Sequence, residues 1–403
     1  MDLSPDTILQ RIPDLKIKID SDNRLAITTA DGVLECGPHG LAILDAFYEP
    51  QPVAGALGKL RARVVGAQDW IDLTSTIAQL YQAGVLYDVQ QSRSVLNASD
   101  SSYDAAEIHV RMLDDRVRTS AFLKGIREVV RPSDVVVDIG TGTGVFAIAA
   151  AQAGARHVYA VEASGIANLA RAAFEANGLA DRITLIQGWS SQISLPERAD
   201  VLISEMVGTD PMGDYVLEVM LDARKRLLKP DARMVPGRVK VFGLPVAIPR
   251  AELARHTFID EAAQNWRSWY GIDFSPFVEA AERSEQFFSI KPQLAREWQT
   301  FGEPVLLDDI DLMAIKQLQL ERTSTATATA TGELNGLLVY FETEFGPLTR
   351  FSVHPAEVGD DSFRYNAVWI LQEPLSLRAG DRFAVTFRYR VPGVASRVHV
   401  ARL

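Results

Sequence analysis

Val135-Val136-Val137-Asp138-Ile139-Gly140-Thr141-Gly142-Thr143-Gly144 is an apolar strand that runs into a loop with glycine at every second position. Glycines there permit positive φ and let a ligand approach the backbone closely. Downstream, strand-like and helix-like segments alternate: Phe146 to Ala153, Val158 to Glu162, Gly165 to Asn177, Ile183 to Gln187, Val201 to Ser204 and Tyr215 to Leu228. Alternation at this spacing predicts a parallel sheet with helices on both faces. In such a sheet the first strand end receives a nucleotide-like ligand beside the amino end of the next helix. Asp138 is placed to orient the loop amides, and Glu162, closing the second strand, to hydrogen-bond two ribose hydroxyls.

A dinucleotide site places its acid at a similar distance, but it needs glycine three residues after the second one. Position 145 is valine and the third glycine falls at 144, so the spacing favours a methyl-donor pocket. Glu205, in Ile203-Ser204-Glu205-Met206-Val207-Gly208, lies at the end of the fourth parallel strand, on the ligand side of the sheet. With Asp214 nine residues on, it forms a paired-acid loop suited to binding and polarising a cationic or amide nitrogen.

Outward from this core, the chain of 403 residues is long enough for two or three domains. Residues 1–90 read as a winged-helix-like unit. A hairpin, Leu15 to Ile19 and Leu25 to Thr29, precedes helical stretches Gly40 to Tyr48, Val53 to Val64 and Trp70 to Ala83. The third places Ile71, Thr74, Ile77, Leu80 and Tyr81 on one stripe. The polar run Gln90 to Ser102 is a linker, and its Asn97 sequon carries no meaning in a cytoplasmic chain. Residues 103–236 form the Rossmann-type core. Residues 237–403 turn β-rich, with strands expected at Val239 to Pro245, Thr323 to Thr331, Gly336 to Thr343, Ala367 to Leu371 and Arg382 to Tyr389. A helical insertion of about 251–288 carries Phe258, Trp266, Trp269, Tyr270, Phe274 and Phe277, aromatics suited to contacts within the chain or across a dimer.

Composition narrows the function classes. At 47% hydrophobic and 23% charged the chain is ordinary for a folded soluble protein. One cysteine, Cys36, excludes an internal disulfide, and the first thirty residues lack a signal-peptide pattern, so a cytoplasmic location is expected. No apolar run is long enough to span a bilayer. A net charge of −11 disfavours nucleic acid as a partner. The six histidines show no metal-ligand spacing.

Residues 103–403 resemble the protein arginine methyltransferases. His109-Val110-Arg111-Met112-Leu113-Asp114-Asp115-Arg116-Val117-Arg118-Thr119 is similar to that family's helix before the first strand. The resemblance implies that His109 and Met112 line a pocket for S-adenosyl-L-methionine and that Arg118 binds its carboxylate, a role suited to a fork-shaped permanent cation. It extends through Asp138, Gly140, Gly142, Gly144 and Glu162 to an adenine-side segment, Gly188 to Ser191, with Ser190 and Ser191. Glu205 matches the first acid of the family's double-glutamate loop, and Leu228 to Ala232 with Pro236 resembles its link into a β-barrel. Trp266 to Ser275 resembles the dimerisation arm, which implies a homodimer.

Three departures stand out. The second acid is Asp214, one methylene short. Of the expected aromatic motif before the first helix only Tyr103 survives. The barrel's Thr-His-Trp loop reads Ser362-Phe363-Arg364, without its histidine. Donor binding is therefore expected to be intact and acceptor recognition altered. The N-terminal unit loosely resembles winged-helix domains that recognise leader peptides by strand addition. The combined reading is an α/β class I methyltransferase core with a β-barrel domain and an N-terminal winged-helix-like domain. It would methylate a peptide or protein side chain, with peptide natural-product maturation as one setting for that activity. The alternatives are a small-molecule methyltransferase on the same scaffold and a non-catalytic, donor-binding regulatory dimer.

Overall fold

The computed structural model describes residues 4–12, 15–19, 25–29, 32–89, 106–211, 216–316, 318–389 and 396–403. The chain divides into two compact units, residues 1–106 and 107–403. In the first, β1 (Ile8–Arg11) is followed by β2 (Lys16–Ile19), β3 (Leu25–Thr29) and β4 (Gly32–Cys36), then α1 (Gly40–Ala46), β5 (Gln51–Pro52), α2 (Val53–Leu60), α3 (Gly66–Gln82) and β6 (Leu86–Asp88). The expected hairpin is present as β2 and β3, with β4 added in an antiparallel meander, while β1 pairs with both β5 and β6. Leu9, Ile27, Ile43, Phe47, Leu73, Ile77 and Leu80 fill its core. The buried stripe of α3 is Leu73, Thr76, Ile77 and Leu80, and Ile71 is exposed. The helix is rotated from the expected face because Leu73, not Ile71, completes the i, i+4, i+7 row with Ile77 and Leu80. The His39 ring hydrogen-bonds Asp69 at 2.5 Å and gives no side-chain cap to α1.

The second unit opens with α4 (Ala106–Asp114) and α5 (Arg116–Val129). Then follow β7 (Val135–Ile139), α6 (Val145–Gln152), β8 (His157–Glu162), α7 (Ala167–Ala176), β9 (Ile183–Gln187), β10 (Ala199–Ile203), α8 (Val216–Arg226) and β11 (Leu228–Val235). The five strands pair in the order β11-β10-β7-β8-β9, all parallel. Every residue of β7 is buried, as a strand covered on both faces requires. Strand order reverses between β7 and β10, which opens the crevice at their carboxyl ends.

Leu228 to Ala232, expected as a link, is part of the edge strand β11. A register shift against β10 carries Pro230 and Asp231 out to solvent, while Met234 and Val235 stay buried. Proline is tolerated because the strand is at the edge. Only Pro236 and Gly237 then separate it from β12 (Arg238–Val246). Gly237 is fixed at both backbone groups, its N–H donating to Glu344 O at 2.8 Å and its carbonyl accepting from Leu312 N at 3.0 Å.

The remainder comprises α9 (Arg250–His256), α10 (Asp260–Tyr270), α11 (Ser275–Glu282), β13 (Gln286–Ile290), β14 (Val305–Asp311), β15 (Leu320–Thr327), β16 (Gly332–Glu344), β17 (Arg350–Ser352), β18 (Asn366–Leu377), β19 (Arg382–Tyr389) and β20 (Arg397–Arg402). One antiparallel sheet runs β13-β18-β16-β12-β14 with β17 on β16, and a second runs β15-β19-β20. The insertion is helical only to Glu282. Its last residues form β13 because Phe288 and Ile290 alternate into the core while Phe287 packs on Trp369 at 5.0 Å between ring centres. Trp269 and Tyr270 of the insertion are exposed. Among the described residues no helix is long and apolar enough to cross a membrane.

The Rossmann-type sheet and the β-rich domain share one hydrophobic core, through Phe146, Phe122 and Phe345 in sequence. Gly125 lets α5 approach that contact: a Cβ there would lie 2.4 Å from the Cβ of Phe345. Gly125→Ala is expected to cost about 1–3 kcal/mol of stability through overpacking. Thermal denaturation tests this, and an unchanged midpoint would show that the contact is loose.

Candidate active site

The glycine loop closes β7 with Gly140, Gly142 and Gly144 at φ of 74°, 55° and 84°. The amides of Gly140 and Thr141 donate to Val161 O at 2.9 and 3.0 Å, which pins the loop to β8. A Cβ on Gly140 would meet nothing closer than Met206 Cγ at 4.0 Å, so the backbone faces open space there. At Gly142 the neighbour is the His109 ring, 3.5 Å away. Gly144 is different. It precedes α6 with a left-handed backbone, and a Cβ would lie 2.4 Å from the Phe174 ring, so it serves packing between α6 and α7.

Two carboxylates hold the loop. Asp138 is buried and accepts from Thr141 Oγ1 at 2.6 Å. Glu162 Oε2 accepts from the Gly142 amide at 2.8 Å, and its Oε1 accepts from the amide and hydroxyl of Ser164 at 2.9 and 2.8 Å. Ser190 lies nearer α8, its carbonyl accepting from Arg226 Nη2 at 2.6 Å, and Ser191 is exposed.

Arg118, in the first turn of α5, is buried. Its Nη2 donates to Met112 O and its Nη1 to Glu205 Oε2, both at 2.6 Å. The other oxygen of Glu205 accepts from Arg364 Nη2. Arg364 is buried too; its Nη1 donates to Val207 O at 2.6 Å, and its guanidinium lies 4.8 Å from the Phe363 ring centre. The Nε atoms of both arginines are buried and have no partner among the described residues. Asp115 braces the arrangement: Oδ1 accepts from the Arg118 amide at 3.0 Å and Oδ2 from Ser362 Oγ at 2.9 Å. Asp210 of the acidic loop accepts from the amide and hydroxyl of Ser396, ahead of β20.

The structure thus brings His109, Met112, Arg118, Asp138, Gly140, Gly142, Glu162 and Glu205 to one end of the sheet. Asp214 and Tyr103 lie outside the described residues. Sequence reasoning missed Asp115 and the hold of Arg364 on Glu205. The departure at Ser362-Phe363-Arg364 marked the position but gave no hint of that contact.

Burial raises the Asp138 pKa from 3.8 to about 7, with Glu162 adding to the rise and the Thr141 and Ala147 hydrogen bonds opposing it. Between those values the folded state binds more protons than the unfolded chain, so this group's stabilisation is complete below 3.8 and lost as pH rises through about 7. Asp138→Asn, which cannot ionise, should therefore gain in melting temperature relative to the natural protein between about pH 5 and pH 8. A difference independent of pH would refute this.

Comparison with known proteins gives a consistent answer. The family described as ribosomal protein L11 methyltransferase (PrmA) matches residues 117–236. Protein arginine N-methyltransferase PRMT10 of Oryza sativa subsp. japonica is 30% identical over 303 residues, covering 68% of this chain and 78% of that protein. Protein arginine N-methyltransferase 1 of Schizosaccharomyces pombe is 32% identical over 278 residues, 64% of this chain and 78% of the relative. Among solved structures, the Trypanosoma brucei PRMT1 enzyme-prozyme heterotetrameric complex with AdoHcy superposes with a TM-score of 0.64 and 27% identity, covering 75% of this chain and all of that one. With the glycine loop, Glu162 and Glu205 in place on this fold, the chain belongs to the protein arginine N-methyltransferase family of class I S-adenosylmethionine-dependent methyltransferases.

Proposed function

We propose that this chain transfers a methyl group from S-adenosyl-L-methionine to an arginine nitrogen of a peptide or protein. The observation that carries the reading is Glu205, just past the end of β10 and paired with the buried Arg118, its side chain 10% exposed, with the glycine loop at the end of the neighbouring strand β7. The residues fit the donor. Gly140 leaves room for close approach, and the unpartnered Nε of Arg118 is a buried donor suited to a carboxylate. When bound, S-adenosyl-L-methionine supplies a methyl group on a cationic sulfur. Glu162 has accepted three protein hydrogen bonds, and a carboxylate offers about four acceptor sites. It holds a ribose diol once the Ser164 hydroxyl rotates away. His109 and Met112 wall the pocket, and Ser190 and Ser191 face the adenine side.

On the acceptor side, Glu205 orients a guanidinium so that one nitrogen points at the methyl group, with Asp214 assisting. Orientation and fixed charge supply most of the catalysis. The acceptor nitrogen loses a proton as its bond to carbon forms, and the Glu205 carboxylate is the base assigned to take it. On the winged-helix-like reading of residues 1–90, the edge strand β2 is the place for a peptide to add. The exposed Trp269 and Tyr270 cover one another's arm in a homodimer, and the single cysteine, buried and free, fits a reducing cytoplasm. The engagement of Glu205 by Arg364 favours one second reading, a donor-binding subunit without turnover of its own.

Mass spectrometry of arginine-containing peptides after incubation with the donor tests the reading. One added methyl on an arginine nitrogen is expected, and Glu205→Gln should cut the rate about 100-fold or more. That substitution also leaves two buried guanidinia with the Asp115 carboxylate as the remaining countercharge of the cluster, so it should cost about 3–5 kcal/mol of stability. Methylation confined to other atoms would discard the arginine assignment. Glu162→Ala should weaken binding of S-adenosylhomocysteine about tenfold or more, as loss of a hydrogen bond to a charged group implies. Unchanged affinity in calorimetry would move the ribose elsewhere.

A further inference from the structure

We infer that Arg364 is the chain's own occupant of the acceptor clamp, an internal guanidinium that the acceptor arginine must displace from Glu205 before transfer. The inference rests on the arginine-acceptor reading above and names the residue that sets acceptor affinity.

A carboxylate binds an arginine best through both oxygens, in a fork-to-fork pair. At Glu205 both oxygens are engaged, one by Arg118 and one by Arg364. A third guanidinium cannot pair with this carboxylate while both remain, since three buried cations would then crowd one anion. One of the two must leave.

Their anchorage decides which. Arg118 lies in the first turn of α5, its amide held by Asp115 and its Nη2 by Met112 O. Arg364 lies between β17 and β18, outside any helix or strand, and its Nη1 bonds the carbonyl of Val207, in the acidic loop itself. It reaches Glu205 from the β-rich domain, whereas Arg118 reaches it from α5. Arg364 therefore leaves, and its departure frees Oε1 of Glu205 and the Val207 carbonyl together. Acceptor affinity is lowered by the fraction of molecules in which Arg364 is away from Glu205.

The test compares the natural protein with Arg364→Gln on one arginine-containing peptide. Steady-state kinetics are combined with calorimetric peptide binding in the presence of S-adenosylhomocysteine. The expected result is a fall of about tenfold or more in both KM and peptide Kd, with kcat changing less than KM and S-adenosylhomocysteine affinity retained. A purely structural arginine would instead lose donor affinity or kcat. If Arg364→Gln does not fold, Arg364→Lys replaces the fork with a single-point donor and should lower KM in the same direction by a smaller factor. Arginine product with unchanged or raised KM overturns the role of Arg364 and leaves the acceptor reading standing. Absence of arginine product together with absence of peptide binding in both proteins overturns the two readings together.

Discussion

Glu205 holds two guanidinium groups that reach it from different parts of the fold, Arg118 from α5 and Arg364 from the segment before β18. Neither arginine is accessible enough for water to replace the carboxylate, and a buried guanidinium without an anion is strongly unfavourable. Asp115 completes the set, touching the Arg118 amide on one side and Ser362 on the other. The formal charges of the four side chains, two carboxylates and two guanidinia, cancel. That balance lets a charged cluster stay out of water, where electrostatic interactions are strongest.

The same cluster ties layers of the fold together. Asp115 starts α5, Glu205 ends β10, and Ser362 to Arg364 enter β18, so one network spans the helical face, the sheet end and the β-rich domain. Apolar packing runs in parallel, from Phe146 through Phe122 to Phe345. The Glu128 to Thr349 hydrogen bond adds a polar tie on the same side of α5. The glycine loop has its own, more local bracing, in which Glu162 and Asp138 hold it through bonds spanning at most twenty residues.

That difference in range explains what the sequence disclosed. The loop from Asp138 to Gly144, and Glu162 beyond it, were legible because strand, turn and acid are set by local periodicity and glycine conformation. Glu205 was legible because its place follows from counting parallel strands. The partnership of Arg364 with Glu205 spans 159 residues and two sheets, and no local pattern encodes it. The edge strand β11 and the strand β13 escaped for a related reason. Proline at 230 reads as a break until an exposed bulge accommodates it, and the aromatics of β13 resemble the helical stretch before them until Trp369 is seen opposite. The third glycine of the loop was legible as a conformation but not as a packing contact, since Phe174 approaches from α7.

The passage from the parallel sheet to the β-rich domain consists of Pro236 and Gly237, with Gly237 bonded to Glu344 and Leu312. This is a seam without slack. Exchange of β-rich domains between relatives, the usual route by which modular enzymes diversify, would have to carry β11 and β12 as one piece and re-form the shared core. Change in the β-rich domain is therefore channelled into single substitutions within a fixed frame.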